Sequence, residues 1–416
     1  MELRKKFLLS CLPILFLVVA ARLEPRDQAT GAKEPQAKTP QTQAKTPPPA
    51  SSPNRPRFAF GGNAAEVPAT FVQNLVFLPA NVNQSKPFLF TLDTSSATTS
   101  IDPSLFGQLG IRTDQRVALI LPGVMLPFDS LPPLARTDLA NEAGRPYEGT
   151  IGNDFLSRVV MEIDYARETV RIFDPNVYKY TGKGKTFPLS LMDGMPVVRA
   201  KMVTPKGKQS EVDFGLNTSM IAGVIVSQRF SDAHRIFPTH GKIAQGYDPQ
   251  LTGGESVSLF RLRNFELATS GAQDTIAEVS RSKLAGGDDP KLAGVIGGDL
   301  LRRFNIVLDC PHQRIFVEAN AHLKDYDEED KSGIAVIAKG SNLRTFEVVH
   351  VVPGTPAAAA GIHAGDVIAG INDEAAADLT LASLRDMFRQ VGHTYKILLQ
   401  RGDQTKQVSM QMRRLL

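Results

Sequence analysis

Residues 92–101 read LDTSSATTSI, and residues 212–221 read VDFGLNTSMI. In each stretch an aliphatic residue precedes an Asp, a Thr follows that Asp by five positions, and an Ile follows it by eight. An apolar strand that runs into Asp and then into a tight turn presents a carboxylate at the strand end. Two such carboxylates placed face to face share one proton, because like charges at close range cannot both ionise cheaply.

A second motif follows each copy of the first. Residues 149–156 read GTIGNDFL and residues 294–301 read GVIGGDLL, and each is followed by another strand-like run that ends in Asp. Two motifs that recur in the same order indicate an internal duplication.

These paired motifs resemble the aspartic peptidases of the pepsin and retropepsin type, most closely bacterial versions with two lobes. The resemblance implies a mainly β fold with two duplicated aspartic-peptidase-like β-barrel lobes, at residues 67–180 and 181–320. It implies an exported endopeptidase in which one carboxylate of a dyad activates water while its protonated partner hydrogen-bonds the scissile carbonyl. The implied site residues are Asp93 and Asp213 as catalytic dyad, Thr94, Ser95, Phe214 and Gly215 as active-site turns, and Ile151, Gly152, Ile296 and Gly297 as substrate-binding residues.

The second turn has two possible registers. Residues 216–219 read LNTS and also match residues 92–95, which read LDTS, so this register puts Asn217 where a second Asp belongs. The register through Asp213 keeps the Asp, the later Thr and the later Ile together, and it places Gly215 where the family has Gly. We therefore expect Asp213 to be the partner of Asp93.

The turns depart from the family pattern at two positions. Ser95 stands where the family has Gly, and Phe214 stands where it has Thr or Ser. Two functions therefore stay open: an active endopeptidase, or a catalytically inactive two-lobed protein that acts as a secreted peptide-binding scaffold. Two segments are candidates for covering a cleft: a hairpin at residues 116–126 and the Gly-rich residues 241–254, which alternatively form a solvent-exposed loop.

The C-terminal residues 333–416 carry a different signature. PGTPA at residues 353–357, AGI at 360–362 and GDVI at 365–368 follow one another in order. This resembles a PDZ domain in the form that bacteria attach to exported proteases. The resemblance implies that a ligand peptide lies along a strand edge and that backbone N–H groups near residues 332–336 bind its terminus. The implied peptide-binding residues are Gly333, Ile334, Ala335 and Val336.

The remaining segments are distinguished by composition. Residues 1–21 have a basic start, a short apolar run and small residues at the end, which predicts a signal peptide and an exported protein, periplasmic, cell-envelope or extracellular. Membrane attachment is expected only if this segment stays uncleaved. Residues 22–66 are rich in Pro, Ala, Lys and Thr and predict a disordered linker. Residues 321–332 predict an acidic, solvated connector.

Composition also narrows the classes of partner. The formal net charge is only +4, and the basic residues form no concentrated stripe, so no nucleic-acid partner is expected. The scattered His residues predict neither a metal site nor a cofactor. The nucleophile loop of trypsin-like proteases and the HExxH zinc motif are both missing. Cys310 is the only cysteine outside the signal and is expected to be a buried, inert thiol. The expected partners are a peptide or protein substrate and a ligand peptide of the PDZ domain.

Overall fold

The computed structural model describes residues 54–134, 138–237, 242–251, 254–283 and 291–416. It is mainly β, as expected, and residues 51–416 form one compact unit. The predicted signal peptide and residues 22–53 of the predicted linker lie outside the described residues. Within the described residues, no helix is both long enough and apolar enough to cross a membrane.

The first β region comprises the described residues up to 180. Alternating apolar residues build its central strands, and the side chains of Phe88, Phe90 and Leu92 are buried on β5. Full burial of one such side chain stabilises the fold by about 1.5–3 kcal/mol. The elements are β1 (Arg57–Phe58), β2 (Ala64–Val67), β3 (Thr70–Val72), β4 (Leu75–Val82), β5 (Phe88–Leu92), β6 (Ser100–Ile101), α1 (Ser104–Leu109), β7 (Val117–Leu121), β8 (Val124–Phe128), α2 (Leu139–Ala143), β9 (Gly149–Ile151), α3 (Asn153–Leu156), β10 (Val160–Asp164) and β11 (Thr169–Phe173).

The second β region comprises the described residues 181–320. Its elements are β12 (Lys185–Pro188), β13 (Ser190–Met192), β14 (Met195–Val203), β15 (Gln209–Leu216), β16 (Val224–Ser227), α4 (Gln228–His234), β17 (Ala244–Asp248), β18 (Glu255–Arg261), β19 (Asn264–Leu267), β20 (Ser270–Gln273), β21 (Ile276–Ser280), β22 (Leu292–Ile296), α5 (Gly298–Leu301), β23 (Phe304–Asp309) and β24 (Arg314–Ala319).

The strands next to the two Asp-containing stretches pair in the same way in both regions. In the first region β4 is antiparallel to β5, β5 is parallel to β9, and β9 is antiparallel to β6. In the second region β14 is antiparallel to β15, β15 is parallel to β22, and β22 is antiparallel to β16. Each parallel strand is followed by a short helix, α3 after β9 and α5 after β22.

One sheet joins the two regions. Its strand order is β12-β24-β23-β10-β11-β2, and β10 of the first region is antiparallel to β23 of the second. One continuous apolar core extends through both regions. The two regions therefore pack as one body, which fixes the position of one turn against the other.

The C-terminal domain, residues 333–416, has its own sheet and its own apolar core. The sheet order is β25-β26-β27-β29-β30, so β25 is an edge strand. A capping box between Thr380 and Ser383 fixes the start of α7. The elements are β25 (Ile334–Lys339), β26 (Thr345–Val351), α6 (Pro356–Ala359), β27 (Val367–Ile371), β28 (Glu374–Ala375), α7 (Leu381–Phe388), β29 (Thr394–Arg401) and β30 (Gln404–Gln411).

The expected hairpin at residues 116–126 forms, and the Gly-rich segment contributes to a second antiparallel strand pair. Strands β7 and β8 are antiparallel across the predicted turn, and β17 pairs with β18 in the segment where a flap or a solvent-exposed loop was expected. Residues 241 and 252–253, which also belong to this segment, lie outside the described residues.

Two predicted segment boundaries are wrong. The predicted linker already contains β1 and β2, because β1 pairs with β8 and β2 pairs with β11. The predicted solvated connector is partly buried: Asp327 bonds Arg303, Glu329 bonds Arg261, and Lys331 is fully buried. Buried acidic groups need such partners, so charge composition alone misplaced this segment at the surface.

Candidate functional site

The strand registers show which residues of the two turns correspond. Leu92 at the end of β5 pairs with Ile151, and Leu216 at the end of β15 pairs with Ile296. The next residue in each chain segment, Asp93 or Asn217, donates its N–H to the carbonyl oxygen of the same partner, at 3.0 and 2.9 Å. Asn217 therefore holds the position in the second region that Asp93 holds in the first.

The two turns are joined by reciprocal hydrogen bonds. The N–H of Thr94 donates to Oγ1 of Thr218, and the N–H of Thr218 donates to Oγ1 of Thr94, both at 3.1 Å. Each hydroxyl also donates to a carbonyl of the opposite region, Thr94 to Leu216 at 2.6 Å and Thr218 to Leu92 at 2.8 Å. Both Thr side chains are buried, so these four bonds hold the turns in one fixed arrangement.

A Ser orients the polar side chain in each turn. Oδ1 of Asp93 accepts hydrogen bonds from the N–H of Ser95 at 2.9 Å and from its hydroxyl at 2.6 Å. Oδ1 of Asn217 accepts the same pair of bonds from Ser219, at 3.0 and 2.8 Å. Ser95 thus supports the turn, and its φ is not in the left-handed region that favours Gly. With Oδ1 of Asn217 engaged in this way, its Nδ2 is the group left to donate.

The prediction that Asp213 is the partner of Asp93 is wrong. Asp213 lies inside β15, opposite Arg199 of β14, with 3.7 Å between its Oδ1 and Nε of Arg199. It is four residues before Asn217, which at the rise of a β-strand is about 13 Å along the chain. Its side chain is 38% exposed and belongs to a surface ion pair. The strand continues past this Asp because Phe214 and Leu216 bury their side chains in the core.

Two more predicted turn residues also lie in the strand. Phe214 is fully buried and packs edge-on against Phe265, with 5.1 Å between ring centroids. A Cβ on Gly215 would lie 2.4 Å from the side chain of Met195, so close packing explains this Gly. Neither residue takes part in the turn, and the hydroxyl that Phe214 cannot supply comes from Thr218.

The four predicted substrate-binding residues support the turns from below. Ile151 and Ile296 are fully buried, and their carbonyl oxygens accept the N–H groups of the turns. A Cβ on Gly152 would lie 2.5 Å from the backbone of Thr98, and one on Gly297 would lie 2.2 Å from the carbonyl oxygen of Ala222. These glycines allow two backbones to approach closely, and all four residues lack the exposed surface that substrate contact requires.

Two further residues, Asn153 and Asp154, support the first turn and were not among the predicted site residues. Nδ2 of Asn153 donates to the carbonyl oxygens of Thr94 and Ser96, at 2.6 and 3.0 Å. Oδ1 of Asp154 accepts from the N–H and the hydroxyl of Thr99, at 2.8 and 2.6 Å. The sequence contains a signal for them, since both polar residues directly follow Gly152 in the first copy of the second repeated motif, GTIGNDFL.

The chemistry of this site follows from one carboxylate and one amide. A shared-proton dyad needs two groups that ionise, and the side chain of Asn217 does not ionise. Asp93 supplies a hydrogen-bond acceptor and Nδ2 of Asn217 supplies a donor. The pair is therefore suited to hydrogen-bond a polar group such as a peptide unit, and it lacks the second ionisable group that a shared-proton dyad requires.

The second candidate site is the β25–α7 groove, the space between edge strand β25 and helix α7. The four residues predicted to bind peptide, Gly333, Ile334, Ala335 and Val336, lie at the start of β25 and line a cavity of about 640 Å³. Gly333 has φ +75°, and a Cβ there would lie 2.3 Å from Thr355, so this position requires Gly.

The loop before β25 is already occupied by a carboxylate of this chain. Oδ1 of Asp330 accepts the N–H groups of Ser332 and Gly333, at 2.9 and 2.8 Å. The hydroxyl of Ser332 accepts the N–H of Ile334 at 3.2 Å. Burial raises the pKa of Asp330, and the bonds from Ser332 and Gly333 oppose that rise. Three of the backbone N–H groups expected to bind a peptide terminus, those of Ser332, Gly333 and Ile334, thus have acceptors from the chain itself.

Helix α2 of the first β region packs against β25. Arg385 of α7 holds this contact: one guanidinium nitrogen donates to Gln73 and to the carbonyl oxygen of Glu142, and the other donates to the carbonyl oxygen of Val336. Burial, and next repulsion from Arg389, lowers the pKa of Arg385 to about 10. The far end of the β25–α7 groove is therefore covered, and the end near Gly333 faces the cavity.

Other reactive chemistry is limited. Cys310 is buried, as expected, and burial raises the pKa of its thiol to about 12, which removes the thiolate at neutral pH. Among the described residues, no group of three or more His, Cys, Asp or Glu side chains is arranged to hold a metal ion.

Comparisons with known proteins agree with the geometry of the β25–α7 groove. Residues 322–400 match the family model of the PDZ domain. The C-terminal domain is a PDZ domain. PDZ domains bind peptides at a strand edge, so a peptide or protein partner is expected for this chain. The match begins at residue 322 and therefore includes the buried acidic residues of the predicted connector.

Two solved structures are similar to parts of the chain. A photosystem II D1 C-terminal processing protease is 23% identical with a TM-score of 0.19, over 21% of this chain and 23% of that one. An aspartic proteinase from Irpex lacteus is 11% identical with a TM-score of 0.37, over 63% of this chain and 99% of that one. No curated protein sequence matches the chain.

Proposed function

We propose that this protein is an exported, non-catalytic scaffold that binds peptides or proteins through two aspartic-peptidase-like β lobes and a PDZ domain. The observation that carries the proposal is the reciprocal pair of hydrogen bonds between Thr94 and Thr218, which gives Asn217 and Asp93 matching positions in the two turns. The repeated strand pairing around the two turns supports an ancestral duplication of the lobes. The N-terminal sequence pattern supports export.

Peptide binding fits both candidate sites. Between the lobes, the carboxylate of Asp93 accepts a peptide N–H, and Nδ2 of Asn217 donates to a peptide carbonyl oxygen. Neither interaction breaks a bond, because no second carboxylate shares a proton with Asp93. The PDZ domain supplies a second binding surface on the same body, and binding at both surfaces raises the avidity for one partner.

The test is an assay of hydrolysis together with an assay of binding. Purified full-length protein is incubated with a denatured protein substrate from about pH 3 to about pH 8, the range in which carboxylate dyads act. We expect no cleavage, and we expect calorimetry to detect binding of peptides. Cleavage by the wild type that disappears in Asp93→Asn would overturn the proposal, because it would show that Asp93 acts without a second Asp at the turn.

A further inference from the structure

The cavity of about 640 Å³ lies where the PDZ domain meets the second β region. One wall is the start of β25 and the face of α7 that carries Arg385 and Arg389. The opposite wall is formed by Tyr247 on β17 and Glu278 on β21. Tyr247 stacks on His350 of β26, with 4.4 Å between ring centroids, so the two walls are in direct contact.

Most of the charged side chains that line the cavity already have partners within the chain. Arg302 bonds Asp325, Glu329 bonds Arg261, and Asp327 bonds Arg303. Arg385 is consumed by Gln73 and by backbone carbonyl oxygens. These groups hold the walls together and have little remaining capacity for a ligand.

Glu278 differs from the groups named above. Its Oε2 is buried and has no hydrogen-bond partner. Burial, and next the charges of Asp248, Asp299 and Glu255, raise its pKa well above the ordinary value. A buried carboxyl oxygen without a partner is costly, and the cost is removed when a cation or a hydrogen-bond donor is brought to it.

Two kinds of ligand fit the cavity poorly. A metal ion needs several converging ligands, and the described residues offer no such group. A peptide carboxylate needs free N–H donors, but Asp330 already takes those of Ser332 and Gly333. The carboxylates of Asp330 and Glu278 would also repel it. An organic cation meets neither obstacle.

We infer that this cavity binds the positively charged side chain, Arg or Lys, of a partner peptide, with Glu278 as the carboxylate that pairs with it. The inference rests on the proposed peptide-binding function and names the ligand chemistry at its PDZ side. Because α2 covers the remainder of the β25–α7 groove, the bound part is a short segment at the end near Gly333. A guanidinium offers planar donors that match the carboxylate, so Arg is preferred to Lys.

The experiment uses full-length protein and three blocked pentapeptides, so that no terminal charge contributes. The probes are acetyl-Thr-Val-Arg-Val-Thr-amide and the same peptide with norleucine or Glu in place of the Arg. Calorimetry should show that the Arg peptide binds at least about tenfold more tightly than the norleucine peptide, as one charge-assisted bond predicts. The Glu peptide should bind weakest of the three.

Two variants, each of which removes one negative charge, test whether the preference for the Arg peptide depends on Glu278. Glu278→Gln should remove the preference for Arg and leave the affinity for the norleucine peptide within about twofold of the wild type, a difference below 0.5 kcal/mol. Glu211→Gln, at an exposed position on β15, should retain the wild-type preference. The comparison of the peptides on the wild type stands independently of how either variant folds.

The outcomes separate this inference from the proposed function. If the norleucine peptide binds as tightly as the Arg peptide, the cation site is overturned while peptide binding stands. A preference for Arg that persists in Glu278→Gln also overturns it, since the pairing carboxylate would lie elsewhere. If none of the three peptides binds, both the cation site and the peptide-binding function at the PDZ domain fail.

Discussion

Thr94 and Thr218 each donate a backbone N–H to the hydroxyl of the other, at 3.1 Å in both directions. Both residues are buried between the two β regions. This exchange puts the residue before each Thr, Asp93 or Asn217, at matching positions in the two turns. The chemistry of the site therefore depends on Asn217, a residue whose side chain cannot ionise.

Replacing Asn217 by Asp should create the missing dyad. The new carboxylate would share a proton with Asp93, so hydrolysis of a protein substrate should rise about 10²- to 10⁴-fold above the background rate measured with the wild type, with a bell-shaped dependence on acidic pH. The measurement is the initial rate of peptide release. Adding Asp93→Asn to this variant should abolish the rate, and adding Asp213→Asn should not change it. Loss of activity with Asp213→Asn would reinstate Asp213 as a partner.

The reciprocal hydrogen bonds between Thr94 and Thr218 should contribute to the stability of the folded chain. In Thr218→Val the carbonyl oxygen of Leu92 and the N–H of Thr94 lose their partner, and each buried group left unpaired costs about 1–3 kcal/mol. Urea denaturation should show this loss in the free energy of unfolding. Thr218→Ser retains the hydroxyl and should lose much less. Equal losses in the two variants would mean that the hydroxyl contributes nothing.

Asp330 should lower the affinity of the PDZ domain for a peptide with a free C-terminal carboxylate. Asp330→Ala frees the N–H groups of Ser332 and Gly333, so a free-acid peptide should gain about tenfold in affinity relative to its amide. Asp330→Asn retains an acceptor oxygen and should leave the ratio of the two affinities unchanged. Calorimetry with both peptide forms measures the ratio. An unchanged ratio in Asp330→Ala would show that these N–H groups do not bind the terminus.

The raised pKa of Glu278 should appear in the pH dependence of stability. A carboxyl whose pKa is higher in the folded chain than its ordinary 4.5 stabilises the fold below that pH, and the contribution is lost as pH rises through the folded value. Glu278→Gln cannot ionise, so its free energy of unfolding should exceed that of the wild type at neutral pH and converge with it at acidic pH. Urea denaturation at several pH values checks this, with Glu211→Gln as the control. A variant less stable than the wild type at neutral pH would contradict it.

Much of the architecture follows from local patterns in the chain. Alternating apolar residues place β5 before Asp93, and the turn at residues 122–123 places the β7–β8 hairpin. The motifs between residues 353 and 368 identified the PDZ domain, because its turns require particular small residues at fixed spacing. These features depend on neighbours close in sequence, so the sequence alone contains the information.

The partner of Asp93 was decided by the tertiary structure. Both candidate registers end an apolar run at a polar residue. Pairing with β14 carries β15 past Asp213 to Gly215, and pairing with β22 carries it to Leu216. The burial of Phe214 against Phe265 makes that extension favourable, and these two residues are distant in sequence. The environments of Asp330 and Glu278 were also decided by the tertiary structure. Asp330 belongs to the acidic segment that was predicted to be solvated, and no role was predicted for Glu278. Their environments arise where the PDZ domain packs on the β regions, and long-range packing of this kind leaves no periodic signal in the sequence.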